Sequence, residues 1–354
     1  MTTVNAHADV EGLSFAAMRQ MVLFEAAEHA LPILRNLSDC VEIESEFGRF
    51  SIADRDKGVR ISLAAATLTD LHVVREGIVE HLAHYLPDVA DGLTWSDSLE
   101  ATQYPPNFQF SEVVNSEPLN ADFHRLSLKL SKPDLFDDRA LHFRFLIPDA
   151  AAPNPTWPTM GRNGAVQWPQ GQDALHRPVY TVRHLDRVSG IATVDIYNHS
   201  GGRAFEWAQG LKRGDKIALI GPGGGGVLNV ETLVICGDEA AYPAIARILE
   251  HVPNVCGEVL LLNRSDAQTY DFNVPEGMRL TWLRPTKSSS LAAIAVEALA
   301  RHPGAYLWFA ADNLQTEAFR KMPPDPPPPS LQRLSAASWT DHIPTLSFSH
   351  RPQP

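Results

Sequence analysis

The chain has 354 residues, 44% of them hydrophobic and 20% charged, a length that accommodates two or three domains with separate cores. Acidic residues (42) outnumber basic ones (30), and the formal charge of -12 excludes a general affinity for nucleic acid or an anionic membrane surface, so any anionic substrate needs a local basic patch. No apolar run approaches the roughly 20 residues that span a bilayer, the N-terminus lacks the pattern of a secretory leader, and Cys40, Cys236 and Cys256 are too scattered for a disulfide framework or an iron-sulfur cluster; a cytoplasmic protein with free thiols, without membrane insertion or a nucleic-acid partner, is the expectation.

In chain order, an amphipathic helical pattern covers 15–37, and strand-like runs follow at 41–51 and 59–64. A second helix is predicted over 69–86, with Leu71, Val74, Ile78, His81 and Leu82 at helical spacing. His81 and His84 share a face of that helix, but no third ligand recurs nearby, so a paired histidine is expected there rather than a metal site. Tyr104-Pro-Pro-Asn107 reads as a linker.

From about Phe110 to Leu228 the chain is strand-rich with Pro and Gly punctuation, the pattern of a closed antiparallel barrel. Its long loop, 148–172, has a length that suits covering a ligand. Next comes Arg177-Pro-Val-Tyr-Thr-Val-Arg183. If this run is a strand, Arg177, Val179, Thr181 and Arg183 point one way while Tyr180 and Val182 point the other. A guanidinium can grip a phosphate, a tyrosine ring can stack on a flat cofactor, and a threonine can hydrogen-bond a polar edge; the same residues also make an ordinary strand with a solvated face and one packed Tyr. A short helix at 201–209 would offer backbone N–H groups, with Arg203 beside them, to a pyrophosphate. The run Gly221–Gly226 is followed by a strand-like segment and not by a helix, so it reads as a flexible connection and not as a dinucleotide fingerprint.

Beyond it the pattern alternates: strand 233–236, helix 239–252 with Asp238 as its cap, strands 258–263 and 279–284, helix 289–302, strand 305–310. A parallel sheet of this kind binds ligands at the carboxyl ends of its strands, which places Gly237-Asp238 and Ala310-Ala311 at a crevice, although Gly237 alone is equally a tight-turn glycine. From Pro323 the proline density predicts disorder to residue 354.

Taken together, Leu141-His-Phe-Arg-Phe-Leu-Ile-Pro148, Val166-Gln-Trp-Pro169, Arg177–Arg183, Asn198–Ala208, Gly214–Pro222, Gly237–Arg247 and Tyr306–Ala310 stand in the order of the siderophore-interacting proteins, which the chain resembles over roughly 110–322. These are FAD-dependent ferric-siderophore reductases of the ferredoxin-reductase superfamily. Val74–His84 makes the first region similar to a small domain of unassigned function that often accompanies them. The resemblance implies a multi-domain chain: a small α+β accessory domain over 1–100, an antiparallel β-barrel FAD-binding domain over 108–228, an α/β parallel-sheet nicotinamide-binding domain over 229–322, and a disordered tail over 323–354.

It also implies roles. Arg177 would contact the flavin-side phosphate or ribityl chain, Tyr180 would pack on the isoalloxazine, and Thr181 with Val182 would bond its polar edge. Arg183 and His199 would lie near the pyrophosphate or adenosine half, Ala204, Phe205 and Trp207 would run along the helix start, and Gly237 with Asp238 would face the nicotinamide. No catalytic acid, nucleophile or metal ligand is implied. The chain departs from the family in Ser200 and Phe205 at the helix start, in Ala240, in Ala311-Asp312, and in lacking the usual closing segment.

The implied activity follows from electron counting. NADPH or NADH gives two electrons as hydride, Fe(III) takes one, and a flavin handles both; iron reduced to Fe(II) leaves a siderophore that binds Fe(III) far more tightly. The partner is a ferric siderophore, ferredoxin is a further candidate donor, and Arg264 and Lys287 are candidates for reading a 2'-phosphate. Two alternatives stay open: a flavin- or chelate-binding protein with little turnover, and a flavin reductase with a non-iron acceptor.

Overall fold

The structure is a computed structural model that describes residues 3–28, 31–97, 103–137, 140–152, 154–199, 202–223, 226, 229–264, 270–284, 290–321 and 333–337. The chain forms two compact units, Met1–Phe108 with Pro148–His176, and Gln109–Ile147 with Arg177–Pro354.

The first unit opens on strand β1 (Val4–Glu11), which turns Ala6 and Ala8 into the core. Helix α1 (Phe15–Glu28) is followed by β2 (Ile33–Asn36), where helix was expected to run on to residue 37. Pro32 explains the difference: it has no N–H to donate and pushes Leu31 out of helical geometry. The run predicted over 41–51 is a hairpin of β3 (Cys40–Ser45) and β4 (Gly48–Arg55), and β5 (Gly58–Ala65) completes an antiparallel sheet of order β1-β5-β4-β3-β2. Its inner face, with Val41, Ile43, Ile52, Ile61 and Leu63, shares one core with Met18 and Val22 of α1 and with Leu71, Val79 and Leu82 of α2 (Leu68–Tyr85). Thr67 caps α2 by accepting from the Asp70 N–H at 3.0 Å. His81 is engaged at both ring nitrogens, with the Gly77 carbonyl at 2.7 Å and Glu25 at 3.2 Å, and α3 (Pro87–Gly92) follows.

Further along, β6 (Phe108–Pro118), β7 (Phe123–Leu130) and β8 (His142–Leu146) lead to a short hairpin, β9 (Thr159–Met160) and β10 (Val166–Gln167). This hairpin lies in the loop read from sequence as part of the barrel region, yet it packs with the first unit. The Trp95 indole donates to the Asn163 carbonyl at 2.7 Å, Asn163 Nδ2 donates to the Ala90 carbonyl at 3.0 Å, and the Met160 N–H donates to Gln103.

In the second unit, β11 (Val179–Thr181), β12 (His184–Asp186), β13 (Ile191–Tyr197), helix α4 (Arg203–Gly210) and β14 (Lys216–Gly223) complete a seven-stranded sheet of order β11-β8-β14-β6-β7-β13-β12. Leu126, Leu128, Phe143, Phe145, Val194, Ile196 and Leu219 fill its core. Gly221 to Gly223, expected to open a flexible connection, instead extend β14. Gly221 sits at φ +153° with its backbone against Phe143, where a Cβ would come within 2.7 Å of the phenylalanine Cβ.

The parallel sheet has order β17-β16-β15-β18-β19, built from β15 (Thr232–Gly237), β16 (Cys256–Leu262), β17 (Met278–Leu283), β18 (Tyr306–Ala311) and β19 (Arg333–Ala337). Helix α5 (Tyr242–His251) follows β15, α6 (Leu291–Arg301) precedes β18, and α7 (Asn313–Arg320), not foreseen, follows it behind an Asp312 cap. The tail is therefore not disordered throughout, since 333–337 pair in parallel with β18; the remainder of 323–354 lies outside the described residues. Gly257 holds the sheet together at φ +138°, where a Cβ would stand 1.9 Å from the Leu233 carbonyl oxygen. Gly257→Ala is expected to cost of the order of 3 kcal/mol, read as a lower denaturation midpoint at unchanged slope. An unchanged midpoint would contradict that reading.

Candidate functional site

The motif strand does not alternate over its full length, because β11 ends at Thr181. Thr181 and Val182 are both buried, at 7% and 1% exposure, although strand geometry would send them to opposite faces. Tyr180 is half-buried, its ring 5.3 Å from that of Phe145, which in turn stands 5.0 Å from Trp207. Burial pushes the Tyr180 phenol up, well above its ordinary range. Arg177 is half-buried just ahead of the strand, and its carbonyl accepts from Arg144 at 3.4 Å.

Thr181 pairs across the sheet with His142, and its hydroxyl lies 3.2 Å from His142 Nδ1. Burial, with Arg247 beside it, pushes the His142 imidazole down to about 4 from 6.5. The unfolded chain takes up a proton below pH 6.5 that the folded protein refuses until about pH 4, so this histidine's stabilisation is complete above pH 6.5 and is lost as pH falls through that window. Stability should accordingly fall less steeply from pH 6.5 to 4.5 in His142→Gln than in the parent, measured by urea denaturation at each pH. Parallel profiles would show that His142 is not buried neutral.

The other motif residues are committed to protein partners. Val182 donates its N–H to the Leu141 carbonyl, and its own carbonyl accepts from Arg247 Nη1 at 2.6 Å. Both backbone groups of Val182, which the resemblance aims at the polar edge of the cofactor, thus have protein partners. Arg183 grips Glu250 of α5 bidentately, at 2.8 and 2.6 Å, and its N–H donates to Thr193. The resemblance places it near the pyrophosphate or adenosine half of the cofactor; here its guanidinium is taken up by Glu250.

Helix α4 starts at Gly202, without a side-chain cap. A Cβ at Gly202 would meet the His199 carbonyl oxygen at 3.0 Å and its ring at 3.2 Å, so glycine is what lets half-buried His199 close over the helix start. Ala204 is buried under that turn, Phe205 lies edge-on to His124 at 6.0 Å, and Arg203 is exposed. By residue type, Arg177, Tyr180, Thr181 and the helix start with His199 offer a cation, a ring, a hydroxyl and backbone donors, chemistry that a phosphate-bearing aromatic cofactor can use.

At the parallel sheet, Gly237 ends β15, and a Cβ there would press to 2.5 Å of Ile245. The Asp238 N–H donates to the Ala310 carbonyl at 3.1 Å and ties the end of β15 to that of β18. The buried Asp238 carboxylate accepts from the Ala240 N–H at 3.1 Å, the capping role read from the sequence. Arg264 is held by Glu239 and, at 3.2 Å, by Asp312, so two carboxylates already occupy the side chain considered for a 2'-phosphate; Lys287 lies outside the described residues. Burial, followed by Glu239, pushes the Tyr197 phenol up to about 12. Among the described residues no group of three His, Cys, Asp or Glu is arranged to hold a metal ion.

The siderophore-interacting FAD-binding domain matches residues 112–226, and the siderophore-interacting protein domain matches residues 230–325. The chain belongs to the siderophore-interacting protein family. This family member is 30% identical over 236 residues to "Ferric vibriobactin reductase ViuB" of Vibrio cholerae serotype O1, covering 60% of the present chain and 85% of that protein. It is 32% identical over 148 residues to "NADPH-dependent ferric-chelate reductase" of Escherichia coli K12, covering 40% and 56% respectively. In fold, the siderophore-interacting protein of Acinetobacter baumannii superposes with a TM-score of 0.54 at 20% identity, over 68% of this chain and 93% of that one.

Proposed function

We propose that this protein reduces ferric siderophores, or ferric chelates like them, and releases Fe(II), with FAD held on the seven-stranded sheet and electrons drawn from NADPH or NADH. One observation carries the reading: the two matched family domains fall in turn on the antiparallel sheet and on the parallel sheet, with the motif strand in the first and the Gly237-Asp238 crevice in the second. In this assignment 108–228, apart from 148–176, is the flavin barrel, 229–322 the nicotinamide-binding region and 1–100 an accessory domain. Ferredoxin is a further candidate donor, and the cytoplasm is the compartment where nicotinamide is at hand. No helix among the described residues is long and apolar enough to cross a membrane.

When bound, FAD would supply the exchange between two-electron and one-electron chemistry. The chain's own residues would do the holding: Arg177 the phosphate or ribityl chain, Tyr180 the ring face, the start of α4 with His199 the pyrophosphate. Thr181, fixed by His142, presents its hydroxyl to the polar edge. The test is purified protein given NADPH, a ferric catecholate and a ferrous-specific dye. Dye colour that requires both FAD and the nicotinamide is expected. Diaphorase activity with quinones and none with ferric chelates would support instead a flavin reductase with a non-iron acceptor.

A further inference from the structure

We propose that Arg183 is a positioning residue: with Glu250 and Arg247 it clamps the motif strand to helix α5, and so sets how the nicotinamide crevice meets the flavin strand. The inference rests on the functional reading above for its consequence, but its geometry stands without it. Two ties run in opposite directions between the same two segments. Arg247, on α5 and 4% exposed, donates to the Val182 carbonyl at 2.6 Å. Arg183, one residue further along the strand, returns a bidentate pair to Glu250, on α5 again, at 2.8 and 2.6 Å with its side chain 15% exposed. Paired guanidinium forks fix direction as well as distance, and a half-buried pair is screened far less than a surface one.

A second polar tie lies beside α5, between β13 and β7. The Tyr270 hydroxyl donates to Asp195 of β13 at 2.5 Å, and Arg125 of β7 closes on the same carboxylate at 2.6 and 2.7 Å. Around this polar chain lie Phe123, Tyr242 and Tyr270, with ring centroids 4.8 to 6.1 Å apart. The first turn ahead of α5 is the Asp238-capped turn at the crevice, so a helix pinned to Val182 and Arg183 carries that crevice in a fixed relation to Tyr180 and Thr181. Arg183 therefore acts through α5, where the family resemblance had implied a contact with the cofactor itself.

The experiment uses the full-length protein with three variants: Arg183→Ala, Glu250→Gln, and the exchange Arg183→Glu with Glu250→Arg. In both single variants the dissociation constant for FAD should stay within about threefold of the parent, while NADPH bleaches the bound flavin about tenfold more slowly and the amides of α5 exchange faster; the exchange should restore both in large part. A rise of about tenfold or more in the FAD dissociation constant for Arg183→Ala, with Glu250→Gln unaffected and no restoration in the exchanged protein, would overturn the clamp in favour of a phosphate ligand. Unchanged amide exchange in all variants would overturn it too. Should the parent take up no FAD, the functional reading fails, and amide exchange with restoration still decides the clamp.

Discussion

Tyr180→Ala and Arg177→Ala are each expected to fold and to purify with little FAD. In the proposed site Tyr180 would give the cofactor a ring face and Arg177 a charge-assisted hydrogen bond, each worth roughly 1.5 to 3 kcal/mol and so about ten- to a hundredfold in the dissociation constant. Because Tyr180 also packs on Phe145, circular dichroism must first show that the variant is folded. The readout is flavin absorbance per protein, followed by titration of the apoprotein with FAD. Full occupancy in both variants would remove the cofactor from this strand.

Asp195→Ala should produce the largest loss of stability. The carboxylate is 0% exposed at its side chain and takes three bonds, two from Arg125 and one from Tyr270. Its removal leaves the Arg125 guanidinium without its anion and the Tyr270 hydroxyl without the acceptor it donates to, at a cost of about 3 to 5 kcal/mol. Burial pushes the Tyr270 phenol up, with the Asp195 charge adding to it, so the phenol keeps its proton and cannot replace the lost anion. Asp195→Asn should fall between the two, since it keeps the shape and one acceptor. Urea denaturation measures both, and an unchanged midpoint in Asp195→Ala would contradict the assignment.

What could be read from the sequence follows from what is local. The parallel sheet was readable because strand and helix periods alternate there and Asp238 stands where a cap is required. α1 was drawn too long because apolar spacing continued past Pro32, a residue whose missing N–H outweighs the spacing. The loop around Asn163 was given to the barrel because nothing in its composition announces that Trp95 and Ala90 receive it. β1 and α7 are short elements with mixed polarity, and β19 is hidden in a proline-rich context.

At the candidate site, residue types single out a strand but not each side chain's partner. An alternating pattern cannot show that Arg183 meets Glu250, 67 residues on, or that Val182 has spent both backbone groups. His142 stands in the run Leu141–Pro148, but nothing local marks it as a partner of Thr181. Only the register Thr181 to His142 brings the two together, and register across a sheet is a long-range property.

Passage of electrons from a nicotinamide through FAD to ferric iron is measured by anaerobic titration of the FAD-loaded protein with NADPH, followed by addition of a ferric catecholate and a ferrous-specific dye. The flavin bands should bleach on NADPH addition, return on addition of the ferric chelate, and yield about two Fe(II) for each NADPH consumed, as hydride carries two electrons. A flavin that bleaches and stays bleached in the presence of the ferric chelate, with no Fe(II) formed, would contradict this electron path.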